Sequence, residues 1–255
     1  MEEQAGLQSQ STKVVAILAF HKIGDPSPGG WETWNYISET SFAKHLDCLG
    51  ENGWRVVDLT WFLRGLEEPD ILPQRSALLT FDDGYRSMCD IVLPWLRRFG
   101  YPAVLFIPTG FIGGHNDFDA ELEPKEPICG WRELSLLERH GVSVQSHGVT
   151  HRSFSTLAPA EREQELRQSK ALLEQSLRKP IEVVAYPYGD DGGDARAAHQ
   201  LVHRAGYRAA CLYGGGLSSL LNVDRYRLPR LAMGADTNLQ ALLDQQWIQS
   251  ESLAR

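Results

Sequence analysis

Two apolar runs constrain this chain more than anything else in it. Lys13 to Phe20 (KVVAILAF) is almost continuously hydrophobic, and Ser76 to Phe81 has the same character. A strand with one wet face alternates, whereas a run without alternation is buried on both faces, as inside a parallel sheet. Shorter runs follow at Trp54 to Val57, Ala103 to Ile107, Ile181 to Tyr186 and Arg208 to Leu212, and Val142-Ser143-Val144 opens another. Helical periodicities lie between them. Phe42, Leu46 and Leu49 recur at helical spacing before Asn52-Gly53, Arg132 to His140 ends at Gly141, and Pro159 to Arg178 is the longest pattern. Tyr85 to Phe99 also reads as a helix, with a kink at Pro94. Strands alternating with helices mean a parallel sheet covered by helices. At 255 residues the chain has the size of one α/β barrel, with no repeat or linker. Thr109 to Gly130 has no period and reads as a long loop, a place where function commonly resides.

Composition narrows the partners. The net charge is −8 with acids and bases intermixed, which argues against nucleic acid or an anionic membrane as the main partner. Cys48, Cys89, Cys129 and Cys211 are too far apart in sequence to suggest a zinc knuckle or a disulfide framework. Residues 1–12 are polar and acidic and are expected to be a flexible segment ahead of a single domain over 13–255. They lack the basic start and apolar centre of a secretory signal, and no run reaches transmembrane length, so a cytoplasmic location is the expectation.

The chemistry gathers where strands end. Thr80-Phe81-Asp82-Asp83-Gly84 closes one apolar run with two acids and a glycine; alone, it would serve equally as a turn. His147-Gly148-Val149-Thr150-His151 closes another. The C-terminal ends of parallel strands are where α/β active sites are built. Histidines at i and i+4 can converge on one ion, and two imidazoles with one carboxylate make a divalent-metal site with open positions. The second acid is then free to act as a base, and two adjacent carboxylates call for a neighbouring cation. Each histidine alone would more readily be structural; the joint pattern favours a site.

These motifs resemble the polysaccharide deacetylases, the NodB-homology group of carbohydrate esterase family 4. Thr80 to Gly84 looks like the first family motif, Ser146 to His151 the second, and Val184-Ala185-Tyr186-Pro187-Tyr188-Gly189 the third. Trp131, Glu165, Ser169-Lys170 and Ala205-Gly206-Tyr207 extend the likeness over roughly residues 13 to 235. The resemblance implies a distorted (β/α) barrel of about seven parallel strands. It also implies Asp82 as general base and Asp83, His147 and His151 as ligands of a divalent metal, zinc by default. The activity implied is removal of acetyl from N-acetylated amino sugars in a glycan or its precursor, so the expected partner is a carbohydrate. An allantoinase-like hydrolase and a sugar-binding pseudoenzyme are the alternatives; the complete ligand set favours the deacetylase.

Two departures matter. The commoner third motif begins with an arginine that contacts the base, and Ala185 stands there. The commoner C-terminal Leu-x-His is missing near the terminus, the last histidine being His203. Phe20-His21 instead resembles the N-terminal Tyr-His of circularly permuted members, the poly-N-acetylglucosamine deacetylase branch, which makes His21 the expected acid. Arg230 is the candidate to replace the missing arginine. Trp31, Trp34 and Tyr36 are candidates to stack on sugar rings, and Tyr188 to line the site.

Overall fold

The computed structural model describes residues 13–220 and 223–253. The flexible segment expected over residues 1–12 lies outside them. The first elements are β1 (Val14–Phe20), β2 (Lys22–Ile23), β3 (Tyr36–Ile37), α1 (Glu39–Glu51), β4 (Arg55–Val56), α2 (Leu59–Gly65) and β5 (Arg75–Phe81). Then come α3 (Leu93–Phe99), β6 (Ala103–Ile107), α4 (Trp131–Arg139), β7 (Val142–Ser146), α5 (Pro159–Leu177) and β8 (Val183–Ala185). The chain continues through α6 (Ala195–Arg204), β9 (Ala209–Cys211), β10 (Ser218–Ser219), β11 (Leu231–Ala232) and α7 (Leu239–Leu253).

Strands β1, β5, β6, β7, β8 and β9 lie side by side in that order, all parallel. Residues 228–232 shut the ring. Leu228 pairs with Cys211 of β9, and β11 pairs with β1 through Leu18–Leu231 and Ala19–Ala232. Counting that segment gives seven parallel positions, so the expected barrel is borne out. Its distortions have local causes. Along one edge of β5, β4 pairs with the first half and β6 with the second. β10 runs antiparallel along the start of β1. Between β7 and β8 the register holds only Ser146–Val184; there the buried Gln145 side chain accepts from the N–H groups of Glu182 and Val183, at 2.8 and 2.9 Å. A buried N–H without a partner is costly, and Gln145 stands in for the missing ladder.

The continuous apolar runs serve two cores. Val14, Ala16, Leu18 and Phe20 of β1 join the outer layer against the helices, while Val15 and Ile17 point into the barrel with Leu78, Phe106, Val183, Cys211 and Leu228. Phe62 and Leu63 of α2 belong to the inner cluster; burying a side chain such as Phe62 contributes about 1.5–3 kcal/mol.

Differences from the sequence reading lie at element ends and in loops. The helix expected from Tyr85 to Phe99 is a wide π turn, Met88–Val92, leading into α3 with Pro94 in its first turn. Proline lacks the N–H that a tight turn would use, and the widened turn accommodates it. The small parallel sheet β2–β3 gives the first loop a framework the sequence did not suggest. The long loop is tied to that first loop by two carboxylates. Glu123 accepts from Lys22 Nζ (2.6 Å), Thr33 Oγ1 (2.7 Å) and Asn35 Nδ2 (2.8 Å). Glu126 accepts from the Ser27 N–H, the Ser27 hydroxyl and the Tyr36 hydroxyl. Among the described residues, no helix is long and apolar enough to cross a membrane.

Candidate active site

The alternation that fills the barrel also builds the site. Side chains two apart on a strand share a face. Extending each inward series past the last core residue gives Ile17-Ala19-His21, Leu78-Thr80-Asp82, Ser143-Gln145-His147, Ala209-Cys211-Tyr213 and Leu228-Arg230. These five side chains gather at the C-terminal mouth, above Phe106.

Arg230 has no exposed surface and grips Asp82 with both nitrogens of its fork, NH1 to Oδ1 and NH2 to Oδ2, each at 2.7 Å. Its Nε donates to the Leu212 carbonyl at 2.6 Å, and its guanidinium lies 5.4 Å from the Phe106 ring centre. Burial opposes ionisation of Asp82, but Arg230 outweighs it and holds the carboxyl below its ordinary range. His21 Nε2 is 3.9 Å from Asp82 Oδ2, and the His21 ring meets Tyr213 edge-on at 5.2 Å. Burial lowers the His21 pKa, with Asp83 and Asp82 working in the other direction.

Asp83 is out of phase with this inward series and reaches the mouth by a backbone device. It has φ 68°, and Gly84 follows with φ 76°. Left-handed backbone at a non-glycine residue costs on the order of 1 kcal/mol and is characteristic of functional sites. His151 is also left-handed, with φ 57°. Its loop is fixed by Glu165 of α5, which accepts from the N–H groups of Val149 and Thr150 and from the Thr150 hydroxyl.

His147 Nδ1 donates to the Ala185 carbonyl at 2.8 Å, which leaves Nε2 with its lone pair facing Asp83 Oδ1 at 3.5 Å. His151 Nε2 lies 3.1 Å from the same oxygen. Burial opposes ionisation of Asp83, yet the two imidazoles hold its carboxyl well below the usual range. Burial also works against a charged His147, which the two aspartates offset, raising its pKa.

One donor atom from each of Asp83, His147 and His151 falls within 4.8 Å of the others, and all three residues are buried. Asp83 Oδ1 is a buried atom without a hydrogen-bond partner of its own. A carboxylate oxygen and two imidazole nitrogens, converging and otherwise unspent, fit a divalent cation. Of the eight buried side-chain atoms without partners among the described residues, His21 Nδ1, Asp83 Oδ1, His151 Nδ1 and Tyr213 Oη belong to this mouth. Buried polar groups are normally paired, so half of the exceptions mark one place.

The aromatic candidates divide. Tyr188, half exposed, has φ 58° and places its ring 4.7 Å from that of His151. Its neighbour Gly189 has no room for a Cβ, which would collide with the backbone nitrogen of Tyr213. Trp34 donates its Nε1–H to Asp236 at 2.6 Å and packs on Gly234, while Trp31 is half exposed. Tyr36 is buried and bound to Glu126, so its ring is not a free stacking face. His203 is exposed on α6, near Tyr226. Sequence reasoning missed Tyr213, Phe118 and Asp119. Tyr213 was findable as the inward position after Cys211. Phe118, whose ring is 4.1 Å from that of His151, and Asp119, which accepts from the Tyr188 hydroxyl at 2.8 Å, lie in an aperiodic loop that carries no such signal.

A closed parallel barrel with a two-histidine, one-carboxylate cluster beside an arginine-held carboxylate has the form of a metal-dependent barrel hydrolase. The family model described as polysaccharide deacetylase matches residues 70–210, more than half of the chain, and the protein belongs to that family. YxkH of Bacillus subtilis is 23% identical over 188 residues, covering 74% of this chain but only 61% of the relative. The poly-beta-1,6-N-acetyl-D-glucosamine N-deacetylase of Staphylococcus aureus is 24% identical over 212 residues, covering 80% of this chain and 70% of the relative. In fold, the chain is similar to the Streptococcus pyogenes deacetylase PplD (TM-score 0.76, 20% identity, 92% of this chain and 99% of that one). It is likewise similar to IcaB from Ammonifex degensii (TM-score 0.73, 20% identity, 95% and 97%).

Proposed function

We propose that this protein is a metal-dependent hydrolase that removes acetyl from N-acetylated amino sugars in a glycan, with zinc as its ion and 13–255 as its single catalytic domain. The observation that carries the reading is the buried convergence of Asp83, His147 and His151 beside Asp82, whose ionised state Arg230 maintains. Held by those three side chains, a divalent ion supplies Lewis-acid polarisation of the acetamide carbonyl and makes a neighbouring water more acidic. Asp82 takes the proton of that water as its oxygen attacks the carbonyl carbon. His21, on the flank of Asp82, gives a proton to the nitrogen as the carbon–nitrogen bond breaks, so acetate and a free amino sugar leave. His147 stays oriented through its bond to the Ala185 carbonyl, the usual way a ligating histidine is fixed. The Staphylococcus relatives, named for poly-beta-1,6-N-acetyl-D-glucosamine, suggest β-1,6-linked N-acetylglucosamine oligomers as the first substrates to try.

The test is acetate release from such oligomers, from β-1,4-linked ones and from small amides, with and without chelator. Release from the sugars, abolished by chelator and restored by zinc, is expected. Asp82→Asn should keep about one ion per chain yet lose roughly 10²-fold or more in turnover, the usual weight of a positioned base. His147→Ala should lose the ion. Metal-loaded protein that releases no acetate from any N-acetylated sugar would defeat the proposal.

A further inference from the structure

Beside the metal-facing cluster stands a carboxylate that the chemistry above does not use. Asp119 ends the short turn Asp117–Asp119 in the long loop. One of its oxygens accepts from the Tyr188 hydroxyl at 2.8 Å. Among the described residues no lysine, arginine or histidine lies within ion-pair distance of it, and no other side chain bonds it. It is partly exposed, and it is fixed in place: its N–H donates to the Asn116 carbonyl, and its own carbonyl accepts from Leu122 and Glu123. Next to it stand the rings of Phe118, its chain neighbour, and Tyr188, its hydrogen-bond donor, 4.1 and 4.7 Å from the His151 ring. Tyr188 holds its place in left-handed backbone, φ 58°.

Aromatic faces beside a carboxylate with spare lone pairs suit a pyranose ring. The rings cover its C–H surface, and the carboxylate accepts from its hydroxyls. We propose that Asp119, oriented by Tyr188, is a substrate-binding residue that accepts hydrogen bonds from hydroxyl groups of the sugar unit whose acetamide is cleaved. The inference rests on the deacetylase reading and deepens it: the long loop supplies sugar recognition, and the strand ends supply the chemistry. A carboxylate in that place also discriminates, because a small amide without ring hydroxyls leaves its acceptors unanswered.

The test is calorimetric binding of a β-1,6-linked N-acetylglucosamine pentamer to metal-loaded protein carrying Asp82→Asn, so that no turnover intervenes. Adding Asp119→Ala is expected to weaken binding about tenfold or more while metal content stays at that of the parent; Asp119→Asn, which keeps an acceptor, should lose less. Tyr188→Phe, which removes the orienting hydroxyl and leaves the ring, should weaken binding in the same direction and covers the case that Asp119→Ala does not fold. In otherwise unaltered protein, Asp119→Ala should lower kcat/KM further on the pentamer than on an aryl acetate. Undiminished pentamer affinity in both Asp119→Ala and Tyr188→Phe would overturn the proposal alone. No pentamer binding by the parent would overturn it too, whereas the deacetylase reading falls only if no N-acetylated sugar releases acetate. Equal losses on pentamer and aryl acetate would reduce Asp119 to a support of the loop.

Discussion

A carboxylate withdrawn from water keeps its charge only if something positive is withdrawn with it. Asp82 is 2% exposed, and Arg230, its partner, lies 148 residues further along the chain. Breaking such a buried pair from one side costs about 3–5 kcal/mol, because the survivor is left charged and dry. Arg230→Met should therefore lower the unfolding free energy by that order in denaturant titration, whereas Arg230→Met with Asp82→Leu should recover much of the loss without restoring activity. A single Arg230→Met variant as stable as the parent would contradict the pairing. At this scale the sequence was partly readable. Asp82, Asp83, His147 and His151 stand in motifs whose spacing already suggested convergence. Arg230 entered only as a substitute for an arginine missing at Ala185, since nothing local in Arg227-Leu228-Pro229-Arg230 says where its side chain goes. Asp119 could not be read at all, because its placement depends on a tertiary contact with Tyr188.

At the scale of elements, the two loops over the barrel mouth behave as a latched pair. Lys22 is buried, its Nζ 4.8 Å from the ring centres of both Tyr36 and Tyr85, and Glu123 is its counter-ion. Removing Glu123 strands that ammonium and frees the hydroxyl of Thr33 and the amide of Asn35. Glu123→Ala should cost about 3 kcal/mol or more of stability and speed hydrogen exchange in residues 109–130, while exchange in β1 and β5 keeps pace with global unfolding. Uniform exchange throughout would mean the loops are not held as a separate unit. The alternation of strands and helices was legible here, since periodicity is a property of neighbouring residues. The latch was not: its members come from residues 22–36 and 123–126, and a glutamate that binds a lysine across the mouth looks in sequence like any solvated acid. The wide turn before Pro94 was legible as a kink, though not as its particular geometry.

On the scale of the whole molecule, closure of the ring depends on five residues, 228–232, that touch β9 on one side and β1 on the other. Leu228 is fully buried in the inner core. Leu228→Ala should cost about 2–5 kcal/mol, the range for a buried leucine, and should lower turnover beyond the loss of folded protein, because Arg230 sits two residues away. Turnover per folded molecule equal to that of the parent would separate closure from activity. The sequence could not show closure, which exists only once the first strand and the last meet.

That meeting has a temporal meaning. Asp82, Asp83, His147 and His151 are all made before the segment that supplies Arg230, so a nascent or broken chain ending short of residue 228 holds the metal-facing side chains without the guanidinium that keeps Asp82 ionised once it is buried. On the deacetylase reading, hydrolysis then waits for the segment over residues 228–232. On that reading, the last piece of the wall is also the piece that arms the base.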